Sequence, residues 1–341
     1  MPVTGAMRFL SGIQPSGTPH LGNYFGAIHQ HVQASRSLGG GDSAFFFIAD
    51  YHALTTTHDA TKLRQQVRDV AATYVALGLD VEQAVLFRQS DVPEVTELTW
   101  LLASVTGMGL LERAHSYKDK VSNNIKPSVG LFTYPILMAA DIVAYDSDVV
   151  PVGGDQVQHV EMAQDMVTHF NSTFSVEALK RPEWHLSPTP KVPGTDGQKM
   201  SKSYNNAIGI FVEGKEQKKQ VNAIVTDSRE PAEAKEPDSV NAYGVLSLFL
   251  TREERVEWED RLRAGGVGYG DLKKALMEKM DARFGEARAV YRDLMTTPAG
   301  EERLEAILAR GAARARPVAQ ATLWRCLEAV GMPNTRRRLQ P

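Results

Sequence analysis

Cysteine is almost absent. Cys326 is the only one in 341 residues, which excludes an internal disulfide and any zinc or iron–sulfur site ligated by cysteines of this chain alone. Such usage suits a reducing compartment, and a cytoplasmic location is expected. Long apolar runs are also missing. The longest candidate, Ala44-Phe45-Phe46-Phe47-Ile48-Ala49, has the length of a strand, well short of the ~18–20 residues that cross a bilayer. Met1 to Gly5 lacks the basic start and apolar stretch of a signal peptide, and no membrane partner is expected. Neither sign of charge dominates: Lys+Arg 38 against Asp+Glu 41 leaves −3, so composition gives no global sign of a nucleic-acid partner. The imbalance is local. Glu301 to Pro341 holds eight arginines against four glutamates, and an anionic partner is to be sought there.

What is present is ordinary for a globular protein, 43% hydrophobic and 23% charged. At ~100–200 residues per domain the length fits two domains, or one large domain with an appended one. Arg8 to Gly12, Phe45 to Ala49, Ala84 to Phe87 and Val149 to Val152 read as short buried strands. The proline at 151 argues for a strand end or an edge. Between the second and third runs, Leu63, Val67, Val70, Ala71, Tyr74 and Val75 recur at helical spacing. Strands separated by helices imply parallel crossovers, hence an α/β fold with a doubly wound, Rossmann-like sheet whose ligands sit beyond the carboxyl ends of the strands. Pro182, Pro188, Pro190 and Pro193 mark a loop-rich stretch that runs to Gly197. From about Val212 the pattern is helical, with Leu272, Leu276, Met280 and Phe284 on one helix and Leu304, Ile307 and Leu308 on another. A domain boundary falls near 190–210.

Two segments carry the chemistry of phosphate. Gly12-Ile13-Gln14-Pro15-Ser16-Gly17, then His20-Leu21-Gly22-Asn23, follows the first strand and precedes a helix expected from Tyr24 to about Ser37. Backbone N–H groups at such a junction point at the crevice, where the positive helix end favours an anion. His20 and Asn23 offer donors to phosphate oxygens, and a protonated His20 would add charge. No Gly-Lys-Ser/Thr closes a Walker loop there, and the dinucleotide fingerprint Gly-x-Gly-x-x-Gly is missing too. The second segment is Lys199-Met200-Ser201-Lys202-Ser203, flanked by Gly194 and Gly197. Two ammonium groups so close together repel unless an anion lies between them. A loop of this kind suits the negative charge that shifts onto a leaving pyrophosphate.

His20 to Asn23 resembles the HIGH-type element of class I aminoacyl-tRNA synthetases, and Lys199 to Ser203 matches their KMSKS loop letter for letter. Thr133-Tyr134-Pro135-Ile136-Leu137-Met138-Ala139-Ala140-Asp141-Ile142 closely resembles the side-chain-binding helix of bacterial tryptophanyl-tRNA synthetases. Tyr134, Met138 and Asp141 share a helix face. The carboxylate of Asp141 suits an indole N–H, and the thioether of Met138 suits a flat ring. Related tyrosyl enzymes usually carry Gln in the Met138 position. Val150 to His159 is similar to the family's Gly-x-Asp-Gln segment, with Gly154 where Glu is common. Ala223 to Ser228 and Gly268-Tyr269-Gly270 look like pieces of its helical domain. The resemblance runs from about Arg8 to Arg325, with Met1 to Ala6 an extra segment.

That resemblance implies the rest. It places Gln14, Pro15, Ser16, Gly22, Asn23, Gly153, Gly154, Asp155, Val192 and the loop Lys199, Met200, Ser201, Lys202, Ser203 on ATP. Tyr134, Met138, Asp141, Gln156 and His52 fall to tryptophan, although His52 in Asp50-Tyr51-His52-Ala53 reads equally as core packing. His20, Asn23, Lys199 and Lys202 are the expected catalytic groups. His159 reads as a core or surface helix histidine. Mg²⁺ is expected to ride on ATP, with no metal site in the protein. Residues 7–200 form the expected catalytic domain and 201–341 a helical domain that binds the tRNA anticodon, its last helix able to pack back on the first domain. A homodimer with tRNA(Trp) across both subunits is implied. Ser116 to Lys120 offers lysines to ATP phosphates or is a solvated charge run. Arg310, Arg314 and Arg316, and the terminal Arg336 to Arg338, are candidates for phosphate contacts or solvated charges. The expected reaction joins tryptophan to ATP as an adenylate and then to the terminal ribose of tRNA(Trp). Two rivals remain: a tyrosyl enzyme, and a catalytically silent relative that binds RNA or tryptophan as a regulator; a smaller nucleotidyltransferase is disfavoured by the KMSKS-type loop and the helical C-terminal half.

Overall fold

Side chains along β2 (Ser43–Ile48) alternate between two cores. Ala44, Phe46 and Ile48 enter one, Phe45 and Phe47 the other. A parallel sheet covered by helices on both faces absorbs such a run. The computed structural model describes residues 7–39, 41–114, 117–118, 128–186 and 191–332. In it β2 lies between β1 (Arg8–Ile13) and β3 (Val85–Arg88). With β4 (Val149–Val152) and β5 (Glu183–Leu186), they form a five-stranded parallel sheet of order β3-β2-β1-β4-β5. The order reverses between β1 and β4, which makes the crevice beyond their carboxyl ends the ligand position of such a sheet.

The crossover from β1 to β2 is α1 (Leu21–Asn23), a π-helical turn at Tyr24–Ile28 and α2 (His29–Arg36). From β2 to β3 run α3 (Asp50–Ala53) and α4 (Ala60–Ala76); Asp59 caps α4 by accepting from the N–H of Thr61 and Lys62 at 2.8 and 3.0 Å. Helices α5 (Glu94–Ala103), α6 (Met108–Glu112) and α7 (Val129–Ala144) precede β4, and α8 (Val157–Phe174) joins it to β5. The later helices are α9 (Gly214–Asn222), α10 (Asn241–Leu246), α11 (Arg252–Ala264), α12 (Tyr269–Thr296) and α13 (Pro298–Ala329). Leu272, Leu276, Met280 and Phe284 of α12 are buried in one core with Leu21 and Phe25. The sheet and the helical half are therefore packed as one body on that side.

Helix α13 crosses both cores. Leu304 and Leu308 lie in the first; Ala312, Ala315, Ala319 and Leu323 lie in the second. Small residues let it run close along β3: a Cβ at Gly311 would stand 1.8 Å from the Leu86 carbonyl oxygen. Among the described residues no helix is long and apolar enough to cross a membrane.

Two expectations change and a third is filled out. Strand β5 lies inside the stretch read as loop; Glu183, His185 and Leu186 are exposed, so this edge strand carries no buried-strand pattern. Strand β4 is interior, between β1 and β5, despite Pro151. The two strands β1 and β4 share only the pair Phe9↔Val149, so Pro151 falls where β4 has already left β1. Arg310, Arg314 and Arg316 are exposed, as solvated helix charges would be, yet each is also engaged by the protein. Arg310 pairs with Glu82 at 2.7 Å, Arg314 donates to the carbonyls of Val81, Gln83 and Ala84, and Arg316 pairs with the buried Glu94 at 2.9 Å. They fasten α13 to the sheet domain. Met1 to Ala6, Pro188, Pro190, Ser116, Asp119, Lys120 and Arg336 to Arg338 lie outside the described residues.

Candidate active site

The turn after β1 needs one left-handed residue, and Gly17 supplies it at φ 102°. His20 follows in extended conformation, and its backbone N–H donates to Asn23 Oδ1 at 3.1 Å, so Asn23 first serves to close the start of α1. Gly22 leaves space for the neighbouring ring, since a Cβ there would lie 2.8 Å from His20 Cε1. The imidazole packs into that vacancy and is buried. Burial first, and the Lys202 ammonium second, lower its pKa to about 4. His20 is therefore a neutral donor near pH 7, and the charge that a protonated ring would add is not available. Its Nδ1 is buried without a protein partner among the described residues.

The Lys199–Ser203 loop is locked onto this element. Gly22 N–H approaches Met200 Sδ at 3.3 Å, Leu21 N–H donates to the Ile208 carbonyl at 2.9 Å, and Lys202 Nζ donates to the Ser16 carbonyl at 3.1 Å. Asn206 organises the loop from inside. It is buried, its Oδ1 accepts from Ser201 N–H at 2.7 Å, and its amide donates to Asp196 and to the Lys199 carbonyl. A Cβ at Gly194 would stand 2.4 Å from Asn206 Cγ, so this glycine makes room for it. Ser201 accepts from Ser203 N–H at 3.3 Å. Lys199 remains exposed on the rim. Val192 is buried in the core and its carbonyl accepts from Met200 N–H at 2.9 Å; its side chain does not line the cavity beyond the sheet. Asp227 and Tyr269, from the two family-like segments of the helical half, are hydrogen-bonded to each other, and Val225 N–H donates to Thr195 at the base of the loop.

Beyond β1 and β4 opens a cavity of about 560 Å³. Gln14, His52, Tyr134, Met138, Gly153 and Gln156 all line it, so residues more than 140 positions apart meet in one place. Asp141 lies behind this wall, 1% exposed. It is not unpaired. Its Oδ2 is 2.9 Å from His52 Nε2, and Gln89 Nε2 donates to Oδ1 and Oδ2 at 2.8 and 2.7 Å. Gln89 is itself held, since its Oε1 accepts from Tyr51 N–H at 3.0 Å. Burial raises the Asp141 pKa, and the His52 and Gln89 bonds offset part of that rise. His52 Nε2 is thus committed to Asp141 rather than free for a ligand carboxylate.

The other wall holds a second polar pair. Tyr134 hydroxyl and His159 Nε2 are hydrogen-bonded at 2.5 Å, and His159 is buried and lines the cavity. Tyr134 also meets the His52 ring edge-to-face, 6.1 Å between centroids. Gly153, Gly154 and Gln156 form the turn after β4; the side chain of Asp155 lies outside the described residues. Motif reading does not single out Gln89, Asn206 and His159 as site residues. Nothing local marks Gln89, whose partner is 52 positions away. Asn206 stands three residues past a recognised loop, and that proximity is the available signal.

The His20 turn brings together backbone N–H groups, an imidazole and the Lys202 ammonium, with Asp69 its one neighbouring carboxylate among the described residues. Such a set fits phosphate oxygens and offers no oxygen cage for a divalent cation. Among the described residues no three metal-ligating side chains cluster.

Comparison with known proteins agrees with this geometry. The model of the class I tRNA synthetases for W and Y matches residues 2–285. The tryptophan–tRNA ligase of Rhodopirellula baltica is 48% identical, covering 96% of this chain and 100% of that protein. That of Fusobacterium nucleatum is 47% identical, covering 95% and 98%. The tryptophanyl-tRNA synthetase of Campylobacter jejuni, solved in complex with ADP and tryptophan, superposes with a TM-score of 0.87 at 46% identity, covering 96% of this chain and 100% of that one. A parallel sheet switching order at the cavity, a HIGH-type turn locked to a KMSKS loop, and this likeness along nearly the whole chain lead to one conclusion: the chain belongs to the class I tRNA synthetases of the tryptophan and tyrosine group.

Proposed function

We propose that this chain is a tryptophan–tRNA ligase that makes tryptophanyl-adenylate and pyrophosphate from L-tryptophan and ATP, then esterifies the 3′-terminal ribose of tRNA(Trp). The observation that carries the choice of amino acid is the wall of Met138 and Tyr134 with Asp141 behind it. A carboxylate has about four lone-pair sites. His52 and a bifurcated contact from Gln89 engage Asp141 from one side, and its remaining acceptor capacity is assigned to the single N–H of an indole. Met138 presents a thioether to the ring face. Gln156 and Tyr134 receive the substrate ammonium.

The tryptophan carboxylate attacks the α-phosphorus in line, the bond to the β-phosphate oxygen breaks, and pyrophosphate leaves. No covalent enzyme intermediate is required. Catalysis is positioning and charge stabilisation. Neutral His20 donates to phosphate without adding charge, Asn23 holds the turn, and Lys199 and Lys202 meet the charge that builds on pyrophosphate. Gln14, Pro15, Ser16 and Gly22 line the approach of ATP, Gly153 to Asp155 lie under its ribose, and Val192 meets adenine through its backbone. Mg²⁺ enters on the ATP phosphates.

Residues 7–200 serve as the catalytic domain and 201–341 as the helical, anticodon-binding domain. The protein works as a cytoplasmic homodimer, and Trp100, Met108 and Val129, exposed on α5, α6 and α7, supply apolar surface for a second copy. Charging of tRNA tests this reading: labelled tryptophan is expected to accumulate on tRNA(Trp) and not on tRNA(Tyr). Charging of tRNA(Tyr) alone would refute it.

A further inference from the structure

Gly17 is flanked by two side chains from distant parts of the chain. A Cβ at this glycine would lie 3.2 Å from Lys202 Nζ and 3.7 Å from Gln66 Nε2. Lys202 donates to the Ser16 carbonyl at 3.1 Å, and the hydroxyl of Thr18, two residues on, reaches Asp69 Oδ2 at 3.5 Å. Gln66 and Asp69 stand three apart on α4 and both are buried. Gln66 Oε1 has no protein partner among the described residues. Asp69 Oδ1 accepts from the hydroxyl of Tyr291 at 2.6 Å, and Tyr291, on α12, stacks on Phe211 at 4.3 Å between centroids. The Ser16–Thr18 turn is thus bracketed by an ammonium and a carboxylate, and the helical half holds the carboxylate.

We infer that Asp69 is a positioning residue for Lys202: without nucleotide it keeps the ammonium on the Ser16–Thr18 turn, and Tyr291 ties that arrangement to the helical half. Partial loss of water lowers the Lys202 pKa and the Asp69 charge raises it again, so the lysine stays cationic on the turn. An incoming triphosphate then competes with Asp69 for this cation. The inference rests on the proposed assignment of ATP to this turn.

The experiment is ATP affinity by titration calorimetry on the full chain, its Asp69→Asn and Lys202→Ala variants and the double variant. Asn is isosteric and keeps an acceptor for Tyr291. Asp69→Asn is expected to tighten ATP binding by about two- to fivefold, the upper part of the range for a weak charge interaction. The effect is expected to vanish when Lys202 is Ala, because the two residues are then uncoupled. Asp69→Glu is expected to restore the weaker binding, and tryptophan affinity is expected to stay unchanged. An equal effect of Asp69→Asn in both backgrounds, or none in either, overturns the proposal. Should Asn at 69 lower the melting temperature, Tyr291→Phe carries the test: the charge remains, the carboxylate is freed toward Lys202, and ATP binding is expected to weaken only while Lys202 is present. Failure of the unmodified chain to bind ATP overturns this proposal and the ATP assignment together. Binding of ATP without tryptophan-dependent chemistry strikes only the proposed function.

Discussion

Asp141 is a carboxylate almost without water, and its neighbours decide what it does. Part of its acceptor capacity is taken by His52 and by a bifurcated contact from Gln89, and Gln89 is pinned to the backbone of Tyr51. In the proposed pocket an indole N–H would complete the set, whereas phenylalanine would leave the acceptor empty in a place where unpaired acceptors are costly. Asp141→Asn is therefore expected to reduce discrimination of tryptophan over phenylalanine by about 10- to 100-fold, the worth of one charge-assisted hydrogen bond. The ATP KM is expected to change by less than about twofold, because Asp141 touches no group near the phosphate turn. Competition kinetics of adenylate formation measures both. Full selectivity in the variant would mean that Asp141 is not the indole acceptor. Rejection of tyrosine, which also offers a donor, falls to the shape of the wall at Met138 and Tyr134.

At the scale of elements, glycines set how closely neighbours approach. Gly22 gives its space to the His20 ring. Gly22→Ala is expected to displace the imidazole and lower kcat for adenylate formation by about 10- to 100-fold, since a displacement near 1 Å is enough. The melting temperature should barely move. An unchanged kcat would show that His20 placement is irrelevant to the reaction. Gly311 plays the corresponding role for stability, because β3 passes against the backbone of α13. Gly311→Ala is expected to cost about 2–4 kcal/mol in urea unfolding. A cost below about 0.5 kcal/mol, the scale of an ordinary surface substitution, would contradict the close packing of α13 on β3. These elements differ in how legible they are in the sequence. The HIGH-type turn and the KMSKS loop are contiguous, so their chemistry is written in adjacent letters. Strand β5 is hidden because an exposed edge strand of four residues has no buried alternation. The partners of the exposed α13 arginines are not legible, because a charge on a helix looks the same in sequence whether it faces water alone or also Glu94. Gln89 and His159 gain their meaning only from partners brought close by the sheet order.

For the molecule as a whole, two buried histidines tie folding to pH. Burial lowers the pKa of His31, bonded to the Tyr74 hydroxyl at 2.7 Å, to about 4, and burial with Lys202 does the same to His20. The unfolded chain takes up these protons near pH 6.5 and the folded chain only near 4. Stability is thus full above pH 6.5 and declines as pH falls through that window, by at most about 3 kcal/mol per histidine. Urea midpoints at pH 7 and pH 5 are expected to differ accordingly, and His31→Phe to remove about half of the difference. A pH-independent midpoint in the unmodified chain would contradict neutral burial of both rings. The α/β architecture is legible from alternating strands and helices, and prolines and glycines suggest the expected boundary near 190–210. What stays hidden is that one core holds residues from both halves of the chain, because Leu21 and Phe284 have nothing in common until the fold brings them into it.

The most direct measurement is amino-acid-dependent exchange of pyrophosphate into ATP, with tryptophan and tyrosine side by side and no tRNA. The Asp141–Met138 pocket and the His20–Lys202 site together predict strong exchange with tryptophan and none above background with tyrosine. Exchange with tyrosine alone would contradict the pocket, and exchange with neither in folded, ATP-binding protein would contradict the catalytic assignment itself.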